Sequence, residues 1–174
     1  MLFRSSGWDK ALYYFCAKDF RFNFVWFLED DVFFNGEATL QNIDKQYPAA
    51  DLLSNKTVKN KNGDKNIWHW NRIKIKFPPP YHQGMMCAIR VSKKLLNSMA
   101  RYVYNHKTLF FLEAFVPTIA HKNKLNVKNP DEFLNIHYRR EFKPENINKT
   151  DLFHPIKDLE MHQTFREQKD EQTE

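Results

Sequence analysis

The chain has 174 residues, with 27 Lys and Arg against 21 Asp and Glu for a formal charge of +6, and it carries 16 Phe, 7 Tyr and 4 Trp. That length is one domain or slightly less, and so many aromatic side chains exclude a disordered chain and demand a packed core. Gly7, Gly36, Gly63 and Gly84 lie too far apart for a Walker phosphate loop or a dinucleotide-binding GxGxxG, so any phosphate partner invited by the basic charge must be held another way.

In chain order, Trp8, Ala11, Leu12 and Phe15 fall at i, i+3, i+4 and i+7, the spacing of a helix with one apolar stripe, and Ser5 or Ser6 is its expected cap. Phe22 to Leu28 is a short continuous apolar run, as expected of a strand buried on both faces in a mainly parallel sheet. Leu40, Ile43 and Tyr47 predict a second helix ended by Pro48, and Ala50 to Ser54 returns as a strand. Asn55 to Asn66 reads as a polar, lysine-rich loop. The alternation of Arg72 to Phe77 predicts a half-exposed strand, closed by the rigid turn of Pro78, Pro79 and Pro80. Met85 to Val91 is a second apolar strand. Ser92 should cap a helix carrying Leu95, Leu96, Met99, Tyr102 and Val103. Thr108 should open another, with Leu112, Phe115, Val116 and Ile119 inward despite Pro117. The pattern is α/β, a mainly parallel sheet flanked by helices. Residues 1–158 form the domain, and 159–174, mostly polar and charged, are expected to be a flexible tail.

The informative stretch is FVWFLEDDVFF, Phe24 to Phe34, where three carboxylates interrupt core-like sequence. Side chains alternate on a strand, so Glu29 and Asp31 point to one side and Asp30 to the other, unless the strand has already become a loop. In open α/β sheets, ligands bind beyond the carboxyl ends of the strands. Carboxylates crowded there repel one another, and a hard divalent cation, Mn²⁺ or Mg²⁺, compensates them and bridges to substrate phosphates. The alternative is that one acid caps the next helix while the others pair with lysines or face water.

WDKALYYF followed by FVWFLEDDVFF resembles the core of a GT-A type glycosyltransferase, in which a DxD-like motif ends a central strand. CAIRVSKKLL, LFFLEAF and FHPIKD are similar to the acceptor side and closing segment of a nucleotide-diphospho-sugar transferase family of eukaryotes, algae and large viruses. The resemblance covers Trp8 to Asp158 and implies a partial GT-A, Rossmann-like architecture. Because only 28 residues precede Glu29, it also implies an N-terminally shortened or reduced form of that domain.

By this resemblance Asp31 is the metal ligand and Glu29 or Asp30 contacts the metal, the ribose or the donor sugar. His154 reaches the metal or the diphosphate and Lys157 neutralises phosphate charge. Trp70, with Trp68 and His69, offers a stacking wall for a sugar ring or acceptor, and core packing explains the tryptophans about as well. Glu113, a lone carboxylate on an apolar helix, is the candidate general base, since burial raises a carboxyl pKa toward the useful range. The alternative readings are a helix-surface acid at the edge of the apolar stripe or a structural partner for Arg90 or Lys94. The partners implied are a nucleotide-sugar donor and a glycan, protein or small-molecule hydroxyl acceptor.

Two rival readings stand beside this one. Lys56, Lys59, Lys61, Lys65, Arg72, Lys74 and Lys76, interleaved with Trp68 and Trp70, suggest a nucleic-acid-binding module. That reading leaves the acids unexplained, and no stable nucleic-acid partner is expected. A non-catalytic relative acting as a partner subunit is the other. Cys16 and Cys87 lack metal-ligand spacing and read as buried free thiols. No apolar run is long enough to span a membrane and Met1 to Lys10 lacks a signal-peptide pattern. The expected location is therefore cytoplasmic, or a Golgi-type lumen if an N-terminal anchor precedes.

Overall fold

The computed structural model describes residues 7–16 and 21–167, without the side chains of Trp8, Asp9 and Cys16. The expected Ser5 or Ser6 cap lies outside the described residues. Helix α1 (Gly7–Cys16) buries Leu12 and half-buries Phe15, while Ala11 is exposed. Strand β1 (Phe24–Leu28) begins two residues later than the apolar run, because Phe22 faces solvent. There follow α2 (Thr39–Gln46), β2 (Leu52–Leu53), β3 (Val58–Asn60), β4 (Tyr81–Gln83) and β5 (Ala88–Ser92). The chain continues with α3 (Lys93–His106), α4 (Leu112–Lys122), β6 (Val127–Lys128), β7 (Asn135–Ile136), β8 (Phe153–His154) and α5 (Leu159–Glu167).

The fold is mixed α/β, and the sheet corrects the expectation of a mainly parallel arrangement. Its four strands run in the order β1-β5-β2-β6. β5 pairs antiparallel with both β1 and β2, and only β2 and β6 are parallel. The apolar runs misled on direction because both faces are covered, whichever way the strands point. Leu52, Ile89, Val91 and Phe27 belong to one core with Leu95, Met99, Phe115 and Ile119 from α3 and α4. Their neighbours Leu53 and Ala88 belong to a second, with Ile43 of α2 and Phe133, while Trp26 and Leu28 pack against it.

Ser92 caps α3 as expected, its hydroxyl accepting from Leu95 N–H at 3.1 Å. Helix α4 starts at Leu112 rather than Thr108 and contains Pro117. Proline has no N–H, so the carbonyl four residues back loses its intrahelical donor. That carbonyl is Glu113's, and it accepts instead from Gly84 N–H at 3.0 Å.

Residues 73–77 join no ladder, in contrast to the strand expected from their alternation. Ile73 is nevertheless buried and Ile75 and Phe77 half-buried between exposed lysines, so period-two burial survives in an extended segment without a partner strand. The tail also departs from expectation. Residues 159–167 form α5, whose Phe165 docks among Phe33, Phe142, Phe153 and Ile156; residues 168–174 lie outside the described part. No helix among the described residues is long and apolar enough to cross a membrane.

Gly36 is required for space. A Cβ there would stand 2.7 Å from both Lys149 O and Thr39 Oγ1, and these two atoms already share a hydrogen bond of 2.8 Å. Gly36→Ala is therefore expected to destabilise the protein by about 1–3 kcal/mol through overpacking. Urea denaturation checks this, and a loss under about 0.5 kcal/mol would mean that the 149 loop yields freely.

Candidate metal centre

The acids leave the sheet in a tight turn. Glu29 N–H still donates to Cys87 O (2.8 Å), extending the β1-β5 ladder by one residue, and Val32 N–H then closes the turn onto Glu29 O (3.1 Å). On the far side, Phe33 and Phe153 exchange backbone hydrogen bonds, and Ile156 N–H donates to Asp31 O at 2.8 Å. The turn is thus pinned between the end of β5 and strand β8, a rigid support for a binding group.

His154 comes from β8. The parallel β7-β8 pairing sets Ile136 beside His154, and His137 N–H donates to His154 O at 3.0 Å. His154 Nδ1 lies 2.6 Å from His137 O. A carbonyl only accepts, so Nδ1 carries the proton, and in the neutral ring Nε2 holds the lone pair. That nitrogen stands 3.2 Å from Asp31 Oδ1 and 3.7 Å from Glu29 Oε2. A ring oriented by a carbonyl on one nitrogen, with the other left to bind, is the usual support of a metal-ligating histidine.

The turn gathers negative charge in a partly buried place. Burial raises the Glu29 pKa; His154 works against that rise, while Asp31 and Asp30 add to it. Asp31 Oδ1 is buried and makes no hydrogen bond, a costly state for a carboxylate oxygen unless a cation or proton satisfies it. Cys87 was not among the expected ligands. Its thiol joins one carboxylate oxygen of Glu29 and one ring nitrogen of His154 in a group whose atoms all lie within 4.8 Å of one another. Burial, with the charge of Glu29, pushes that thiol's pKa up. The donor set of carboxylates, imidazole and thiol fits a divalent cation.

Glu113 sits in the first turn of α4, half-buried. Its pKa is raised to about 7, first by burial and then by the charge of Glu29. It is not the partner of Arg90, whose guanidinium binds Asp44. Asp30 is exposed, on the solvent side of the turn, while Glu29 and Asp31 converge on His154, brought there by the turn beyond β1 and not by strand alternation. Lys157 is exposed and directly follows Ile156, which is bonded to the acid turn.

Trp70 is a correction. It is 3% exposed and belongs to the main core, with its ring 5.6 Å from that of Tyr81 and 4.9 Å from that of Trp68. No ring face remains for a ligand. Trp68 is itself half-buried against Phe111, and Trp70 lies in a 3-10 turn, so the residues do not form the strand-borne stacking wall expected. Arg72, Lys74, Lys76 and Lys107 do line a cavity of about 380 Å³, but the tryptophans needed as a stacking platform for single strands are packed inward.

The chain matches no protein-family model and no curated protein.

Proposed function

We propose that the protein is a metal-dependent glycosyltransferase that moves a sugar from a nucleotide-diphosphate donor to a hydroxyl acceptor. The observation that carries this reading is the convergence of His154 Nε2 on Asp31 and Glu29, a late histidine meeting a DxD-like turn at the end of an apolar strand. The GT-A likeness of the sequence supports it, as does a carboxylate with a pKa near neutrality within the field of Glu29.

In this reading Asp31 and His154 hold the cation, with Glu29 or Asp30 contributing to the metal or the donor. When bound, a divalent cation neutralises the diphosphate and the charge that develops on the leaving group. Lys157 adds a positive charge beside it. Glu113, in the inverting course, accepts the proton of the acceptor hydroxyl as that oxygen attacks the anomeric carbon. The folded chain's main contribution is position, since two substrates held in line react as one.

The test is calorimetric titration with UDP or GDP in the presence and absence of Mn²⁺. Wild-type protein is expected to bind the diphosphate only with the cation, and Asp31→Ala to weaken that binding by roughly 10–100-fold while its thermal unfolding stays cooperative. Equal binding by a folded Asp31→Ala variant would overturn the assignment of Asp31. No cation-dependent binding by the wild type would overturn the transferase reading of this chain.

A further inference from the structure

Acids at the end of a strand call for a hard cation, but the folded site is not made of acids alone. β5 runs antiparallel to β1, so its first residues return to the place where β1 ends. Ala88 is registered against Leu28, and Cys87 O accepts the N–H of Glu29. Cys87, 5% exposed, is thereby placed within a common ligand sphere with Glu29 and His154.

We infer that Cys87 is a ligand of this centre and makes it selective for a thiophilic divalent cation of the Zn²⁺ or Co²⁺ type over Mn²⁺ and Mg²⁺. The inference rests on reading Asp31 and His154 as cation-holding groups and goes further by naming the cation class and a third kind of donor. Three arguments support it. Thiolate and imidazole together suit Zn²⁺ and Co²⁺, whereas Mn²⁺ and Mg²⁺ take oxygen ligands. Oxygen and nitrogen ligands each about 2.1 Å from one tetrahedral ion stand about 3.4 Å apart, and the 3.2 and 3.7 Å separations of His154 Nε2 from Asp31 and Glu29 bracket that value. Finally, Glu29, Cys87 and His154 supply three donors of the kinds Zn²⁺ takes and Asp31 stands beside them as a fourth, so a zinc ion held there would admit a diphosphate oxygen by expanding to five ligands. On binding, the Cys87 S–H bond breaks, the sulfur coordinates as thiolate and the proton leaves to solvent.

Co²⁺ is the probe, because a cobalt-thiolate bond shows a charge-transfer absorption in the near ultraviolet that oxygen and nitrogen ligands do not produce. Reduced wild-type protein titrated with CoCl₂ is expected to develop this band at one equivalent, and Zn²⁺ to abolish it by displacement. Cys87→Ser should lose the band, while Cys16→Ser retains it. In parallel calorimetry Cys87→Ser should weaken Zn²⁺ binding by roughly tenfold or more and leave Mn²⁺ binding within about threefold.

The wild-type spectrum decides even if Cys87→Ser fails to fold. Cobalt bound with no charge-transfer band, or a band that survives in Cys87→Ser, overturns the role of Cys87. If Mn²⁺ then still binds and Asp31→Ala abolishes that binding, the metal-centre reading stands without it. If no divalent cation binds the wild type, both fall together.

Discussion

Arg90→Ala is expected to destabilise the fold by about 3–5 kcal/mol, through the buried hydrogen bonds it breaks and the cavity it leaves. Arg90 is 1% exposed in β5, with apolar Ile89 and Val91 on either side. Its guanidinium donates to Asp44 Oδ1 (2.7 Å), to Ala50 O (3.1 Å) and to Tyr47 O. Tyr47 is the C-cap of α2, so the cation satisfies carbonyls at the negative end of that helix. Asp44 also accepts from Trp26 Nε1 at 3.2 Å. One arginine thus joins α2 to two strands of the sheet, and an alanine would leave buried carbonyls unpaired as well as a cavity. Asp44→Asn should cost much less, about 1 kcal/mol or under, because the Asp44 side chain is 45% exposed and water can replace it. Urea denaturation with m unchanged measures both. A loss under about 1 kcal/mol for Arg90→Ala would show that the helix end is satisfied by solvent.

The sequence makes the composition of this core legible more readily than its wiring. Apolar runs located β1 and β5, and the Ser92 cap with its i, i+3, i+4 pattern located α3, because local periodicity and capping are chain-local signals. Strand direction is not such a signal. An apolar run reports that both faces are covered, and Leu52 and Leu53 do enter different cores, yet antiparallel β5 covers them as well as a parallel strand would. The same register hid Cys87. Its place beside Glu29 follows from cross-strand pairing and leaves no spacing motif, so only knowledge of the long-range β1-β5 pairing could have found it. Asp31 and His154 were paired by the likeness to a family, and the fold brings them together through β7, β8 and the Phe33 bridge. Trp70, open in sequence to a stacking role or to core packing, is core, while a phenylalanine in a charged tail expected to fray anchors α5.

In the proposed reaction Glu113→Gln is expected to lower kcat by about 10²–10⁴-fold, the usual contribution of a positioned general base, and to raise stability at the same time. Glutamine keeps the shape of the side chain but cannot take a proton. The folded-state pKa of Glu113 is raised to about 7 from an ordinary 4.5. Between those values the folded protein therefore binds more protons than the unfolded chain, and stability falls as pH rises through that window and levels off above it. The cost is absent below the ordinary value and full above about pH 7. Because one side of the carboxyl is open to solvent, the cost is about 1–2 kcal/mol rather than the full value of the shift. Glu113→Gln removes it, so the variant should be about 1–2 kcal/mol more stable than wild type at pH 8 and equal to it at pH 4. Wild-type kcat should rise with pH to a plateau with its midpoint near 7, and the variant should lose that limb. A variant that is less stable at pH 8, with a pH-rate profile like that of the wild type, would make Glu113 a structural acid and remove it from the catalytic step. Loss of rate together with loss of the pH-dependent limb is the outcome that marks Glu113 as the base, because a carboxylate that acts only through the fold leaves the midpoint in place.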